Sequence, residues 1–239
     1  MTLKSVVLLP VHRPGDQFVV LLDDLMRVVD DAASVVVVDD GSGPAADALL
    51  AKVRERGCTV LRHPVNRGKG AALKTGFRYV LATHPGRDVL TVDGDGQHGI
   101  TDIRALDGRA GQGRMVLGVR RFDRMPPRSR LGNFVVQWLF QAVTGRSVSD
   151  TQTGLRCYPA ALLERFAAVP GERFDYEMNV LLAAVGNGCG FDEVPIETTY
   201  LDGNSGSNFR GLADSTRVLG SLVRHAVTAP GIGSGTAAR

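Results

Sequence analysis

Four short apolar runs, dense in valine and leucine, constrain the fold of this chain more than any other feature. None of them alternates with polar residues, and they cover Ser5 to Leu9, Ser34 to Val38, Val89 to Val92 and Met115 to Val119. A shorter strand is predicted over Cys58 to Leu61. Such runs are typical of strands buried on both faces, as in parallel sheets covered by helices.

Segments with helical spacing separate these runs. Apolar residues recur three and four positions apart in Phe18 to Val29, Ala45 to Val53 and Ala71 to Leu81. This alternating order predicts an α/β fold with a mostly parallel central sheet and helices on both faces. The length of 239 residues, with 44% of them hydrophobic, fits one domain with a substantial core.

Composition excludes several classes of protein. A net charge of +3, with no basic run interleaved with aromatic residues, argues against nucleic-acid binding. Cys58, Cys157 and Cys189 show no CxxC spacing, which predicts reduced thiols in a cytoplasmic protein. The apolar run before Pro10 is too short for a secretion signal, and Phe134 to Val143 is shorter than the ~20 residues of a spanning helix. The chain is not expected to cross a membrane by itself.

Polar, small or charged residues follow each of the four long runs. They are Pro10-Val11-His12, Asp39-Asp40-Gly41-Ser42, Asp93-Gly94-Asp95 and Arg120-Arg121. Ligands of open α/β sheets bind beyond the carboxyl ends of the strands. If the strands are parallel neighbours, the four clusters converge on one site.

Asp93 and Asp95 are the strongest candidates for metal binding. In extended backbone, residues i and i+2 project to the same side, so both carboxylates can face one ion. The interleaved glycines are expected to leave room for a ligand near the main chain. Mg²⁺ or Mn²⁺ suits two carboxylates completed by water and phosphate oxygens. A plain Asp-Gly turn is the structural alternative.

The second half of the chain is richer in arginine. Around Pro126-Pro127 lie Arg114, Arg120, Arg121, Arg124, Arg128 and Arg130. An amphipathic segment follows over Leu131 to Val143. Further elements are predicted in the order helix, strand, strand, helix, over Tyr176 to Val185, Gly190 to Val194, Ile196 to Tyr200 and Leu212 to Val227. The tail from Ala229 to Arg239 lacks periodicity and is expected to be disordered.

Seven motifs occur in an order that resembles family 2 glycosyltransferases, in particular dolichol-phosphate mannosyltransferase-like and polyprenyl-phosphate glycosyltransferase-like members. The motifs are VVVVDDGS (35–42), NRGKGAALKTGF (66–77), TVDGDGQH (91–98), SDTQTGLR (149–156), ERFDYEMN (172–179), EVPIETTY (193–200) and NFRGLADSTRVL (208–219). The resemblance covers Val6 to about Leu222, and the conjunction is more specific than any single motif.

The resemblance implies a GT-A domain over residues 1–228, with a nucleotide-sugar half at about 1–120 and an acceptor half at about 121–228. It implies inverting transfer of a hexose from a nucleotide diphosphate sugar to a polyprenyl phosphate, with Mg²⁺ or Mn²⁺. The site would lie at the cytoplasmic membrane face, where membrane contact would be peripheral or made through a membrane protein partner. The alternatives are transfer to a soluble or glycan hydroxyl and a non-catalytic module that binds nucleotide sugar.

The resemblance also assigns site residues. Asp93 and Asp95 would hold the metal, with Gln97 close by. The nucleotide sugar would meet Asp93 together with Pro10, Asp39, Asp40, Asn66, Gly68 and Gly70. The acceptor phosphate would meet Arg120, Arg130 and Arg156. The catalytic group would be Asp93, Asp95, Asp150 and Arg156.

The need for a general base depends on the acceptor. A phosphate monoester, with a second pKa near ~6, is largely ionised at neutral pH and needs no strong base. A hydroxyl would require a carboxylate, for which Asp150, Asp175 and Glu177 are candidates. Asp150 could instead cap a helix or orient Arg156, which lies in the same motif. For Asp175 and Glu177, an ion pair or a solvated helix start is favoured.

Several other residues have a structural alternative beside the functional one. Asp39 and Asp40 could simply form the turn before the next helix. Lys69 and Lys74 lack the P-loop spacing, so no phosphate cradle is predicted there. His98 could touch substrate or metal, or hold its loop. Core packing is favoured over bilayer contact for Trp138 and its apolar neighbours.

Overall fold

The computed structural model describes residues 2–120, 127–197, 217 and 219–223; side chains in the helix that begins at residue 127 are described from residue 132. The strands of the described part are β1 (Val6–Val11), β2 (Val35–Asp39), β3 (Thr59–Arg62), β4 (Val89–Thr91), β5 (Met115–Arg120), β6 (Arg156–Tyr158) and β7 (Phe191–Ile196). They form one sheet in the order β3-β2-β1-β4-β6-β5-β7. The predicted mostly parallel sheet is confirmed.

The strand β6 is antiparallel to both of its neighbours, β4 and β5, whereas the other pairings in the described sheet are parallel. It therefore begins at the edge where its neighbours end. Arg156 pairs with Thr91 on one side and with Leu117 on the other. This reversal carries the segment before β6 to the carboxyl ends of the parallel strands.

Helices cover both faces of the sheet, as predicted. The helices are α1 (Asp16–Met26), α2 (Asp47–Glu55), α3 (Lys69–Thr83), α4 (Ile100–Asp107), α5 (Pro127–Thr144), α6 (Leu163–Ala168) and α7 (Asp175–Gly186). Successive residues of β1 serve different cores, because strand side chains alternate between faces. Leu8 packs in a core with Phe77 of α3, and Leu9 packs in the opposite core with Phe18 of α1.

The five predicted strands of the first half are confirmed, each within two residues of its expected ends. The predicted pair of strands over residues 190–200 is wrong over residues 190–197, which the structure describes. One strand, β7, runs straight through Pro195, and residues 198–200 lie outside the described part. Proline is tolerated there because β7 is the edge strand of the sheet formed by the described residues, and the far side of an edge strand needs no N–H donor.

Two further predictions fall largely outside the described residues. Of the predicted helix over residues 212–227, residues 219–223 are described and are helical. The tail at residues 229–239 lies outside, as does the boundary expected between the two halves near residue 121. Among the described helices, none combines the length and the apolar character needed to span a bilayer.

Candidate active site

The carboxyl ends of β1, β2, β4 and β5 meet the start of β6 at one edge of the sheet. The four predicted clusters are therefore gathered there, as far as they are described. They lie at the end of β1 (Pro10 to His12), at the end of β2 (Asp39 to Ser42), after β4 (Asp93 to Asp95) and at the end of β5 (Arg120), and the segment that leads to Arg156 joins them. The expected convergence at the carboxyl edge is observed.

Asp93 lies two residues after the end of β4 at Thr91, and Asp95 lies in the turn that comes next. The extended geometry used to place both acids on one side is therefore wrong, although the two carboxylates still interact. Burial, together with the charge of Asp93, raises the pKa of Asp95 to about 6. The backbone N–H of Gln97 donates to Asp95 Oδ1 at 3.1 Å and opposes that rise.

The glycines of this loop serve packing, which corrects the expectation that they leave room for a ligand. A Cβ on Gly94 would lie 2.6 Å from Val11 Cγ1. Gly96 has a φ of +75°, and a Cβ there would lie 2.9 Å from Cβ of Gln17. Both glycines thus let the acidic loop press against the end of β1 and the start of α1.

Lys69, the first residue of α3, is a site residue that sequence reasoning missed. Its Nζ lies 2.7 Å from Asp93 Oδ1 and 3.0 Å from Glu177 Oε2. Burial alone would lower the pKa of Lys69, but the charges of Asp93 and Glu177 outweigh it and raise that pKa. The available signal was a lysine directly after the helix-entry glycine, Gly68.

Asp93 is held from a second side by Gly154, which precedes β6. A Cβ on Gly154 would overlap the Asp93 carboxylate, so only glycine fits there without displacement. Although burial opposes ionisation, the charge of Lys69 holds the pKa of Asp93 below its usual range. Asp93 is therefore an ionised carboxylate fixed against the start of β6.

The acid pair fits a divalent cation. Two carboxylates on one loop supply hard oxygen ligands, and the ammonium of Lys69 already stands where positive charge is stabilised. Asp95 is the acid whose charge is poorly compensated in the ligand-free protein. Within the described ranges, no cluster of three or more carboxylate, imidazole or thiol groups is placed to hold a metal. Remaining ligands would have to come from water or substrate oxygens.

Asp40 organises the loop between β3 and α3. Its Oδ1 lies 2.7 Å from His63 Nδ1 and accepts from the Arg67 N–H at 2.9 Å, while Oδ2 accepts from the Gly68 N–H at 2.7 Å. Asp39 accepts from the N–H of Ser42 and pairs with Arg62. Both carboxylates are buried, so their predicted contact with the nucleotide stays a prediction.

The other residues predicted for the nucleotide pocket border the same loop. Gly68 has a φ of +106°, and a Cβ there would strike the Glu172 carbonyl. A Cβ on Gly70 would lie 2.5 Å from Cβ of Tyr176. Asn66 is exposed, and Pro10 is half-buried near the end of β1. The two glycines therefore dock the start of α3 against the segment that enters α7.

Asp150 is fully buried and binds an arginine other than the one expected from its motif. Arg120 donates through Nε to Asp150 Oδ2 at 2.6 Å and through Nη2 to Oδ1 at 3.0 Å. Asn133 and the Gln152 N–H also donate to Oδ1. Asp150 therefore orients Arg120 and not Arg156, and both of its carboxylate oxygens accept hydrogen bonds.

Arg156 is also fully buried, which differs from the expected position facing a phosphate. Its three guanidinium nitrogens donate to the carbonyls of Thr153, Glu177 and Thr151 at 2.7–3.0 Å. A phosphate contact would require these bonds to be given up. The hydrogen bonds of Arg156 therefore link the turn before β6 to α7. The side chain of Arg130 lies outside the described part.

Three other side chains have environments that limit their chemistry. His98 is buried, which lowers its pKa to about 4, and its Nδ1 has no partner among the described residues. Burial raises the pKa of Cys58 to about 11 and that of Cys157 to about 12, so both are inert thiols. As expected, Cys58, Cys157 and Cys189 are free.

The fold resembles that of solved glycosyltransferases. Glucosyl-3-phosphoglycerate synthase from Mycobacterium tuberculosis, in complex with Mn²⁺, uridine diphosphate and glucosyl-3-phosphoglycerate, matches with a TM-score of 0.66. The identity is 18%, and the match covers 94% of this chain and 80% of that one. Its complex with Mg²⁺ and uridine diphosphate matches with a TM-score of 0.67 at the same identity and coverage. The sheet topology and these neighbours define a single-domain α/β fold of the GT-A type.

The family model described as glycosyl transferase family 2 matches residues 7–168. The chain therefore belongs to glycosyl transferase family 2, and the predicted resemblance and enzyme class are confirmed.

Curated relatives extend the comparison. An uncharacterized protein of Methanocaldococcus jannaschii is 32% identical over 181 residues, which is 71% of each chain. Undecaprenyl-phosphate 4-deoxy-4-formamido-L-arabinose transferase of Edwardsiella ictaluri is 26% identical over 94% of this chain and 68% of its own length. UDP-N-acetylglucosamine–dolichyl-phosphate N-acetylglucosaminyltransferase of Methanococcus voltae is 26% identical over 71% of this chain and 76% of its own.

Proposed function

We propose that this glycosyltransferase moves a hexose from a nucleotide diphosphate sugar to a polyprenyl phosphate, with inversion and with Mg²⁺ or Mn²⁺. The observation that carries the donor side is the Asp93–Asp95 pair at the carboxyl edge, with the cationic Lys69 beside it. The acceptor class follows the relatives named above, whose names specify undecaprenyl or dolichyl phosphate.

The donor side can be derived from charge. Departure of the sugar leaves negative charge on the diphosphate, which a divalent ion offsets when it is bound. Asp93 and Asp95 would hold that ion, and Gln97 would support the Asp95 carboxylate through its backbone N–H. Lys69 adds a second positive charge beside Asp93. The loop that Asp40 organises would form the neighbouring wall of the nucleotide pocket.

The acceptor side favours a nucleophile that needs no general base. Asp150, the first candidate base, is fully enclosed and paired with Arg120. A phosphate monoester is already ionised near neutral pH. Arg120 keeps a quarter of its side chain exposed and is fixed by Asp150, so it is the described arginine best placed to meet an acceptor phosphate. Arg130 stays a sequence-based candidate for the same role.

Membrane contact is supported by an exposed aromatic pair on α5. Phe134 and Trp138 are 63% and 61% exposed, one turn apart on the helix, whereas Phe140 is buried in the core. The expectation that Trp138 packs in the core is therefore wrong. With Gln137 and Gln141, the pair borders a groove of about 280 Å³ that ends at Ser149. We assign this face to the surface of the membrane that carries the lipid acceptor, because aromatic side chains favour the bilayer interface.

The transfer assay tests the proposed reaction. Purified protein incubated with nucleotide sugars, Mn²⁺ and a short polyprenyl phosphate should yield lipid-linked sugar. The Asp95→Ala variant and strong chelation should each lower the rate at least about a hundredfold, as expected when transition-state charge is no longer offset. Undiminished transfer in either case contradicts the metal role. Lipid-independent transfer that is lost in Asp150→Asn would support a hydroxyl acceptor instead, and binding of nucleotide without any turnover would support a non-catalytic module.

The membrane assignment has its own test. Flotation with anionic phospholipid vesicles should recover the wild-type protein, and Phe134→Ser combined with Trp138→Ser should reduce recovery severalfold. Val20→Ser is a control, because Val20 is an apolar side chain on α1 that is exposed to a similar degree, 57%. Equal flotation of the double variant and the wild type would contradict a membrane role for this face.

A further inference from the structure

Lys69 occupies a position where two buried or half-buried carboxylates converge. Its Nζ is within ion-pair distance of Asp93 Oδ1 and of Glu177 Oε2, and its own side chain is 15% exposed. The ammonium also lies 6.0 Å from the centroid of the Phe174 ring. A single ammonium thus serves both acids in the ligand-free protein.

Glu177 has unused hydrogen-bonding capacity at this point. Its side chain is 8% exposed, and Oε1 lacks a hydrogen-bond partner among the described residues. Besides Lys69, Arg156 lies nearby, with its Nε 3.9 Å from Oε1. The guanidinium of Arg156 is already committed to three carbonyls. If Asp93 releases the Lys69 ammonium, Glu177 can therefore bind it through both carboxylate oxygens.

We propose that Lys69 is a built-in counter-ion that occupies Asp93 in the absence of substrate and is exchanged for the divalent ion, with Glu177 retaining the ammonium after the exchange. This inference rests on the proposed function, because it assumes that Asp93 is a metal ligand. Its consequence is that Lys69 competes with free metal. Metal bound without nucleotide should therefore be held weakly, and a diphosphate, which offers oxygens to both cations, should strengthen metal binding.

A purely structural ion pair predicts a different behaviour. If Lys69 only anchors the start of α3 to the loop after β4, its removal should loosen Asp93 and weaken metal binding. If Lys69 is a competitor, its removal should free Asp93 and strengthen metal binding. The sign of the change therefore separates the two roles.

The experiment measures Mn²⁺ binding to the full chain without nucleotide, by titration calorimetry and by electron paramagnetic resonance of free Mn²⁺. Lys69→Met should bind Mn²⁺ about tenfold more tightly than the wild type, the change expected when a close charged competitor is removed. Lys74→Met is the matched control. Lys74 is also a buried lysine of α3, pairs with Glu172 and lies 5.5 Å from the Tyr176 ring centroid, yet it is not paired with Asp93. Its Mn²⁺ affinity should equal that of the wild type.

A second variant tests the same exchange in the opposite direction. Glu177→Gln removes the acid that retains Lys69, so Lys69 should stay on Asp93 and Mn²⁺ binding should weaken severalfold. If Lys69→Met does not fold, Glu177→Gln alone tests whether Lys69 competes with the metal for Asp93. Unchanged or weaker binding in Lys69→Met, or stronger binding in Glu177→Gln, would overturn the exchange while leaving the proposed transfer intact. Absence of Mn²⁺ binding in every variant, even with uridine or guanosine diphosphate, would overturn both.

Discussion

Asp95 is an acid whose ionised form the fold disfavours. Its pKa of about 6 lies above the unfolded value because burial and the charge of Asp93 both oppose ionisation. Between the two pKa values the folded chain binds more protons than the unfolded chain, so this residue's contribution to stability falls as pH rises through about 6. The ionised form of Asp95 therefore lowers the stability of the folded protein at neutral pH.

We expect Asp95→Asn to stabilise the metal-free protein at pH 7.5. The gain should be about 1–2 kcal/mol after allowance for solvent screening, and it should shrink toward zero near pH 4, where Asp95 is protonated in the folded protein. Urea unfolding in the presence of a chelator at both pH values measures it. An equal difference at the two pH values would show that charge is not the cause.

Gly154 carries a second prediction at this scale. Because a Cβ there would overlap the Asp93 carboxylate, Gly154→Ala should displace that side chain and reduce Mn²⁺ affinity and transfer at least about tenfold. Gly186→Ala is the control, since a Cβ at Gly186 meets nothing within 4 Å. Wild-type Mn²⁺ affinity in Gly154→Ala would mean that Asp93 is not a ligand in the orientation described here.

The location of Asp93 and Asp95 in the site could be predicted from the sequence. The side chains that contact them from other parts of the chain could not. Asp93 and Asp95 stand together after an apolar run, so their place at the edge follows from the strand itself. Lys69 and Gly154 reach Asp93 only through the register of α3 and β6. Asp150 and Arg156 share one motif, but the fold pairs Asp150 with Arg120. Such pairings are set by tertiary packing and leave no periodic pattern.

At the scale of elements, the start of α3 depends on close contact with the segment that enters α7. The Glu172 carbonyl accepts from the Ala71 N–H at 3.0 Å, and Gly68 and Gly70 remove the side chains that would hold the two segments apart. This contact positions Lys69 near Asp93. The docking of α3 therefore links the stability of the fold to the geometry of the site.

Gly68→Ala should lower the free energy of unfolding by about 2–4 kcal/mol, because it combines a strained positive φ with overlap at the Glu172 carbonyl. Gly43→Ala isolates the first effect. Gly43 also has a positive φ, of +75°, but a Cβ there meets nothing within 4 Å, so the loss should be about 1 kcal/mol. Equal losses in the two variants, by denaturant unfolding, would argue against the overlap.

The strands that a continuous apolar run predicts differ clearly from β6, which has no such pattern. β1, β2, β4 and β5 are continuous apolar runs, and their burial on both faces produces that pattern. β6 has only three residues, Arg156, Cys157 and Tyr158, and two of these carry polar groups. Its place in the sheet comes from its neighbours, because a three-residue strand has no pattern of its own.

At the scale of the whole molecule, ligand binding should appear as thermal stabilisation. A nucleoside diphosphate with Mn²⁺, present at about a hundred times its Kd, should add about 2.7 kcal/mol and raise Tm by about 5–10 °C. Comparison of uridine, guanosine and cytidine diphosphates would identify the base. The rise should vanish with chelator and in Asp95→Asn. A rise that persists in both would mean that the diphosphate binds without the acid pair.

The antiparallel strand β6 also has a consequence for synthesis on the ribosome. It fills the slot between β4 and β5, both of which emerge earlier, so the two neighbours wait with unsatisfied backbone groups until residue 158 has left the exit tunnel. In a nascent chain arrested before that point, one side of β4 and both sides of β5 lack their partner strands and can pair with other chains, since β7 also emerges later. Translation through this stretch is therefore a stage at which the nascent chain is prone to aggregate.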